Sequence, residues 1–311
     1  MRKLMIAGAA CFGAWSSFAY AQSAPTAQDG QDEPGRTPPL LTTPATHSPS
    51  ATAKLTGFVD IALKNDYVTP AGLVVTTKGA TVQVVNGLSL VTPSGLAFSV
   101  GSFTDLNPGY SKADGNITSL NEIDVFAGVS GTLAKRWKLN LQYLQFISGQ
   151  PSVAFKNTHN IAFSVAYDDG SPGKRFTLNP YAKLFWQVAG KSSTVVLGKP
   201  GGTFDIELGA VPTLSLDGVT LTAPTYVTVG PSEFWGTGAF DNGQNFGVAA
   251  TALKASVPVT ALQSGGKMSV YGQVQYFHLI NDNLVRSKAI LNSGANGRDH
   301  FVFGIGTAVA F

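Results

Sequence analysis

The sequence predicts an all-β protein, a transmembrane antiparallel up-and-down barrel of about twelve strands, on three observations. From residue 54 onward, apolar side chains recur at every second position, the period at which a strand presents alternate faces. The faces that gather them hold no Lys, Arg, Asp or Glu, and a charge facing hydrocarbon there costs about 2–4 kcal/mol at mid-membrane. The connections alternate in length. Long ones at 68–80, 106–118, 148–158, 189–202, 230–243 and 280–299 are separated by shorter ones at 92–95, 133–135, 168–174, 214–218 and 258–266. Short inner turns and long outer loops are the pattern of a membrane barrel, and a soluble sandwich has no reason to sort its loops by parity. An even strand count places both termini on the inner, periplasmic side.

Residues 1–21 read as a secretory signal peptide, with Arg2 and Lys3 as the basic start and Leu4 to Trp15 as the apolar body. Ala19-Tyr20-Ala21 supplies the small-x-small site, so cleavage is expected after Ala21. Cys11, the only cysteine, falls inside this segment. An acylated Cys11 after Gly8-Ala9-Ala10 is the alternative, but the apolar run before it is very short. The mature chain then has no cysteine, which excludes disulfides and thiol catalysis. Loss of Arg2 and Lys3 leaves 19 basic residues of the 21 against 18 acidic ones. That near-neutral balance argues against nucleic acid as a partner.

Charged residues make up 13% of the chain, about half the usual share. Beyond the N-terminus no stretch of ~18 apolar residues occurs, so helical membrane spans are not expected. Residues 22–53 are rich in Pro, Thr, Ser, Ala and Gln. Such a segment lacks the apolar surface to order itself and reads as a flexible periplasmic arm. The barrel is expected over 54–311.

The first strand sets Gly57, Val59, Ile61 and Leu63 against Phe58, Asp60, Ala62 and Lys64. The second and third, near 81–91 and 96–105, meet at Thr92-Pro93-Ser94-Gly95, a compact turn. The fourth opposes Ile123, Val125, Ala127 and Val129 to Glu122, Asp124, Phe126 and Gly128. The fifth opposes Trp137, Leu139, Leu141 and Tyr143 to Lys138, Asn140 and Gln142. In the sixth, Ile161, Phe163, Val165 and Tyr167 face away from Asn160, Ala162, Ser164 and Ala166. The seventh carries Phe176, Leu178, Ala182, Leu184 and Trp186 on one face, and its Pro180, which cannot donate to a ladder, predicts a bulge. The eighth sets Phe204, Ile206 and Leu208 against Asp205, Glu207 and Gly209, and meets the ninth, 219–229, near Asp217-Gly218, a hairpin signal. The tenth spans 245–257. The eleventh opposes Met268, Val270, Val274 and Tyr276 to Ser269, Tyr271, Gln273 and Gln275.

The last strand alternates Phe301, Phe303, Ile305, Thr307, Val309 and Phe311 with mostly small residues. Such a strand, ending on Phe, resembles the assembly signal of bacterial outer-membrane barrels, with Phe303, Ile305, Thr307, Val309 and Phe311 as its residues. Asn65-Asp66-Tyr67-Val68, Gln83 and Asn121-Glu122-Ile123-Asp124-Val125-Phe126-Ala127-Gly128 are similar to the TorF-type porins of proteobacterial outer membranes. The likeness covers mainly 56–150. Where that family places Arg-Gly after its Asp-Tyr-Val motif, this chain has Pro70-Ala71-Gly72. The resemblance implies an outer-membrane barrel with a proposed pore activity, and no catalytic residue can be carried over from it.

Inward charges are the functional candidates. Asp66, Glu122, Asp124, Asp205 and Glu207 fall toward the outer half of the lumen, Lys183 near its middle and Lys138 at the periplasmic end. A carboxylate ring at a constriction favours cations. The expected function is a porin-like channel for passive diffusion of small polar solutes or ions, mildly cation-preferring. Expected partners are outer-membrane lipid, the barrel-assembly machinery and those solutes. One alternative is a non-conducting structural or adhesive barrel with Glu233, Phe234, Trp235 and Phe240 as contact residues. Another is a hydrolase in the outer loops, built from His159, His278 or His300 with Ser287, Ser293 or Asp282. No Cys/His metal spacing and no cofactor motif occurs. Asp241, Asp282 and Asp299 are the Ca²⁺ candidates in the outer loops.

Overall fold

The computed structural model describes residues 52–77, 79–108, 120–148, 157–171, 173–190, 192–259, 266–292 and 294–311. The expected signal peptide, and the arm up to residue 51, lie outside the described residues. Alternation makes the wall. Twelve long strands run β1 (Lys54–Lys64), β2 (Thr81–Val91), β3 (Ala97–Leu106), β4 (Leu120–Leu133), β5 (Trp137–Ser148), β6 (Thr158–Tyr167), β7 (Pro180–Gly190), β8 (Thr203–Ala210), β9 (Thr225–Val229), β10 (Phe246–Val259), β11 (Lys267–Leu279) and β12 (Asp299–Ala310). Each pairs antiparallel with its sequence neighbours, and β9 pairs with β10. Closure comes from β1 against β12, with Phe58 opposite Ala310 and Leu63 opposite Ile305. The terminal Phe311 extends that seam by donating its N–H to Gly57 O at 2.9 Å and accepting from Gly57 N at 2.7 Å. A closed sheet leaves no edge, so every strand finds its ladder partners inside the wall.

Three strands are kinked near the end that carries both termini. Short ribbons Phe176–Thr177, Thr213–Leu216 and Val219–Thr222 continue β7, β8 and β9 across breaks at Asn179, Pro212 and Pro224. Pro180 begins β7 after Asn179, whose φ is +45°; instead of the expected bulge the ladder breaks evenly, with two residues on each strand between the Thr177–Thr213 and Pro180–Ala210 pairs. The other two prolines act alike. Their missing N–H groups interrupt the ladder, and Val211 N and Ala223 N bond instead to Leu178 O (2.9 Å) and Pro212 O (2.8 Å).

The burial pattern is that of a soluble protein turned inside out. Ile61, Leu88, Phe98, Leu141, Trp186, Leu208, Leu253 and Phe303 are exposed on the outside, whereas Asp60, Lys64, Asp105, Glu122, Lys183 and Lys254 are buried within. Such a wall suits hydrocarbon outside and a polar interior. Among the described residues no helix is long and apolar enough to cross a membrane.

Aromatic rings lie flat against this wall from inside. A Cβ on Gly87 would sit 2.4 Å from the Phe58 ring, one on Gly101 2.3 Å from Phe126, and one on Gly306 2.4 Å from Tyr271. Neighbouring glycines give these rings room to recline rather than project into the lumen.

Candidate functional site in the lumen

The inward positions gather ionisable groups in three places. On β1 and β11, the Tyr271 hydroxyl donates to Asp60 Oδ1 at 2.6 Å. Lys254 of β10 places its Nζ 3.4 Å from the Tyr271 ring centroid, a cation–π contact in a desolvated setting. Lys64 stands on the same face of β1, four residues beyond Asp60.

The second group is acidic. Asp105 at the outer end of β3 accepts from Thr81 Oγ1 (2.6 Å), Gln83 Nε2 (3.2 Å) and Asn121 Nδ2 (3.0 Å). Glu122, opposite Asp105 in the ladder, accepts the Tyr67 hydroxyl at 2.8 Å. Asp124 is the next inward position on β4 and is 1% exposed. The third group pairs Lys183 Nζ with Glu207 Oε2 at 2.5 Å, both about 4–5% exposed. Tyr181 donates to the other oxygen of that carboxylate at 2.6 Å, and Asp205 is the neighbouring inward position on β8.

The sequence-predicted residues therefore fall into two buried clusters, Glu122 with Asp124 and Lys183 with Asp205 and Glu207. Two stand apart. Lys138 bonds to Asp168 at 3.0 Å near the inner rim, and Asp66 lies at the outer mouth, 3.1 Å from His300 Nε2. Sequence reasoning missed Asp105 and Lys254 as site residues, and noted Asp60 and Tyr271 only as inward positions. Their signal was present, since each falls on the inward phase of its strand.

The outer half of the lumen is filled by the described long loops after β1, β7, β9 and β11. After β1 the chain folds inward as a ribbon, Tyr67–Val68 against Val74–Thr76, turned at Pro70-Ala71-Gly72. Gly72 has φ +87°, and a Cβ there would lie 2.7 Å from Val248 Cβ, so the turn needs a residue without a side chain. Tyr226 reaches this turn by donating to Pro70 O at 3.2 Å. Gln187 staples the loop after β7, giving its Nε2 proton to Ser192 O (2.6 Å) and accepting from Thr194 N (3.2 Å).

Two helices complete the filling. In the short α1 (Ser232–Trp235), Phe234 and Trp235 are fully buried, with Trp235 Nε1 donating to Asn245 O at 3.1 Å. α2 (Asp282–Leu291) is capped by Asn281, which accepts from Asn283 N at 3.0 Å. Its buried face carries Asn283, Leu284, Ser287 and Lys288. Burial pushes the Lys288 ammonium below its ordinary range, against the opposing pull of Asp299 and Asp66. Asn292 ties α2 to the ribbon through Val74 O (3.0 Å) and Thr77 N (2.9 Å). Together these loops and the wall share one apolar core containing Leu73, Val74, Phe103, Phe146, Phe185, Phe277 and Leu284.

Two expectations change here. Phe234 and Trp235 do not present an adhesive surface, because the outer loop carrying them turns inward to bury them. The aspartates considered for Ca²⁺ are dispersed: Asp241 accepts from Gly243 N (3.1 Å), Asp282 binds Arg298 and Gln244, and Asp299 binds Tyr276 and His278. Among the described residues no acidic or histidine group converges as a metal site. The histidines are likewise separate, His159 with Tyr143 (2.6 Å), His278 with Asp299 (2.8 Å) and His300 with Asp66. Ser287 Oγ makes no hydrogen bond to any of them, and Ser293 lies outside the described residues.

The architecture is similar to several solved outer-membrane proteins. The NanC porin matches at 11% identity and a TM-score of 0.47, over 81% of this chain and 98% of its own. An outer-membrane channel from Pseudomonas putida F1 matches at 9% and 0.46, over 87% and 100%. A bacterial polysaccharide outer-membrane secretin matches at 9% and 0.43, over 83% and 97%. Nothing about what those proteins carry transfers at such identities. No family model and no curated protein matches the chain.

Proposed function

We propose that the chain is a narrow outer-membrane channel through which ions or small polar solutes diffuse, with a mild preference for cations. The observation that carries this reading is the set of charged groups buried on the lumen face of the strands. Six are carboxyls (Asp60, Asp105, Glu122, Asp124, Asp205, Glu207) and three are ammoniums (Lys64, Lys183, Lys254). Ionisable groups inside a membrane span are costly, and they mark solute and ion pathways. The acidic excess favours cations through its field. Gln142, Asn160, Gln273 and Gln275 each keep a buried amide atom with no hydrogen-bond partner among the described residues. Such groups are expensive in a sealed interior and cheap in a wet one, which supports a lumen that fills with water.

This reading includes export by a signal peptide cleaved after Ala21, insertion guided by Phe303 to Phe311, and kinship with the TorF-type porins. Its test is single-channel recording of the refolded mature chain in a salt gradient. Glu122→Gln with Asp124→Asn should move the reversal potential toward zero selectivity; absence of current from the wild type at any voltage would overturn the channel. A non-conducting structural barrel is the second reading, favoured by the continuous apolar seal of Leu73, Val74, Phe234 and Trp235 in the outer half. The same recording separates the two.

A further inference from the structure

Most of the outer wall is apolar; Thr225 and Thr251 on β9–β10 break it with hydroxyls that bond each other at 2.8 Å, and a strip on β2–β3 breaks it with a carboxamide. On the outward phase of β2 and β3, Asn86 donates its Nδ2 proton to Ser102 Oγ at 3.0 Å. The two are direct ladder partners. Asn86 is the sixth of eleven residues in β2, so the pair sits at mid-height, where hydrocarbon is thickest. Thr104 follows on the same face of β3. The ladder row runs on from Ser102 through Val125 to Gln145, a second outward carboxamide nearer the outer rim.

The Asn86–Ser102 bond leaves the Asn86 carbonyl oxygen and one amide proton unused, and lipid tails offer neither acceptor nor donor. A polar group in that position is expected to find a protein partner. The surroundings fit a contact face. Around the strip stand the small outward side chains Val59, Val84 and Ala127, and toward the inner end lie the exposed Leu88, Leu90, Phe98 and Val100. The wall of β6 to β8 is different, carrying Phe163, Trp186 and Phe204 outward with no outward amide.

We infer that the β2–β3 wall is a subunit interface and that its occupant is a second copy of this chain, related by a two-fold axis passing beside Asn86. The chemistry selects that partner. A carboxamide presents donor and acceptor together, so two identical amides satisfy each other reciprocally, and a two-fold axis brings any residue near it onto its own copy. A polar residue in an otherwise apolar seam sets register and partner in the same way. This inference needs only the barrel in a membrane and does not depend on conduction.

The test uses the mature chain folded in detergent and in native membrane. Wild type should sediment with twice the protein mass of one chain, and Asn86→Leu should raise the dissociation constant at least tenfold while keeping heat-modifiable mobility as proof of folding. Asn86→Cys should form a disulfide-linked dimer under mild oxidant, whereas Leu184→Cys on the opposite wall should not. A monomeric wild type overturns the inference. So does an Asn86→Cys variant that cross-links no better than Leu184→Cys.

Discussion

The two halves of the lumen are built on different plans. Toward the outer end, inward side chains are large and tightly packed: Phe103, Phe146, Phe185 and Phe277 meet loop residues Tyr67, Leu73, Phe234 and Trp235, all close to fully buried. Toward the end holding the termini, the inward positions are small or polar: Thr56, Ser89, Gly101, Gly128, Ser130, Thr132, Asn140, Ala166 and Ala308 retain access to solvent, while Ser99, Ser256 and Ser269 are buried. The outer half is thus a folded core inside a barrel, and the inner half is a vestibule of small and polar side chains, partly open to solvent. Between them the Phe58 and Tyr271 rings recline on the wall, with Lys254 and Asp60 against Tyr271. The difference shows that wall and filling are stabilised separately, the wall by its ladder and the outer half by burial of loop side chains.

The sharpest way to break that comparison is to remove one side chain from each half. Trp235→Ala should destabilise the protein by about 3–5 kcal/mol, because its cavity opens inside a packed core. Ser130→Ala in the vestibule should change stability by less than about 0.5 kcal/mol. Urea unfolding of the two variants in the same detergent measures both. Equal effects would mean that the outer filling contributes no more than the vestibule wall.

The reclining Tyr271 ring gives a smaller effect. In Gly306→Ala the new methyl would start 2.4 Å from the Tyr271 ring and hydroxyl and 2.6 Å from Ile61 O. The ring must leave the wall, and with it goes the hydroxyl bond to Asp60. Overpacking of this kind costs about 1–3 kcal/mol. A lowered heat-modifiability midpoint, with near-ultraviolet absorption showing a changed Tyr271 environment, is the expected result. An unchanged midpoint would show that the ring is free to move.

How much of this was legible follows from the physics of each part. The wall was legible because lipid imposes one rule on every outward position, so Glu122 and Asp124, or Lys183 and Glu207, declare their phase from period alone. Pro180 was legible as a kink for the same local reason, a missing donor. The filling was not, because loop direction is decided by tertiary packing. Tyr67-Val68, Leu73-Val74-Val75 and Phe234-Trp235 are apolar runs inside otherwise polar loops, and that was the available signal. A loop at a water interface has no use for such runs unless they fold inward. Lys254 escaped notice because only the range of its strand, not its phase, was read.

The smallest effect belongs to the inner rim, where exposed pairs rather than packing hold the turns. Between β6 and β7, Asp169 accepts from Lys174 Nζ (2.9 Å), Leu178 N (2.9 Å) and Asn179 N (3.1 Å). Slight burial opposes its ionisation, but the Lys174 bond and the two amides outweigh it and hold the carboxyl below its ordinary range. A carboxyl whose folded value is depressed contributes stability that is present above the unfolded value of about 3.9 and is lost as pH falls through the folded one. Between about pH 4 and pH 2, therefore, the wild type should lose a little more stability than Asp169→Asn, which cannot titrate there. The difference should shrink further in 1 M salt, where screening reaches about 3 Å. Acid profiles of the wild type and of Asp169→Asn that run parallel would mean that the turn draws nothing from this carboxylate, and that the inner rim is held by its ladder alone.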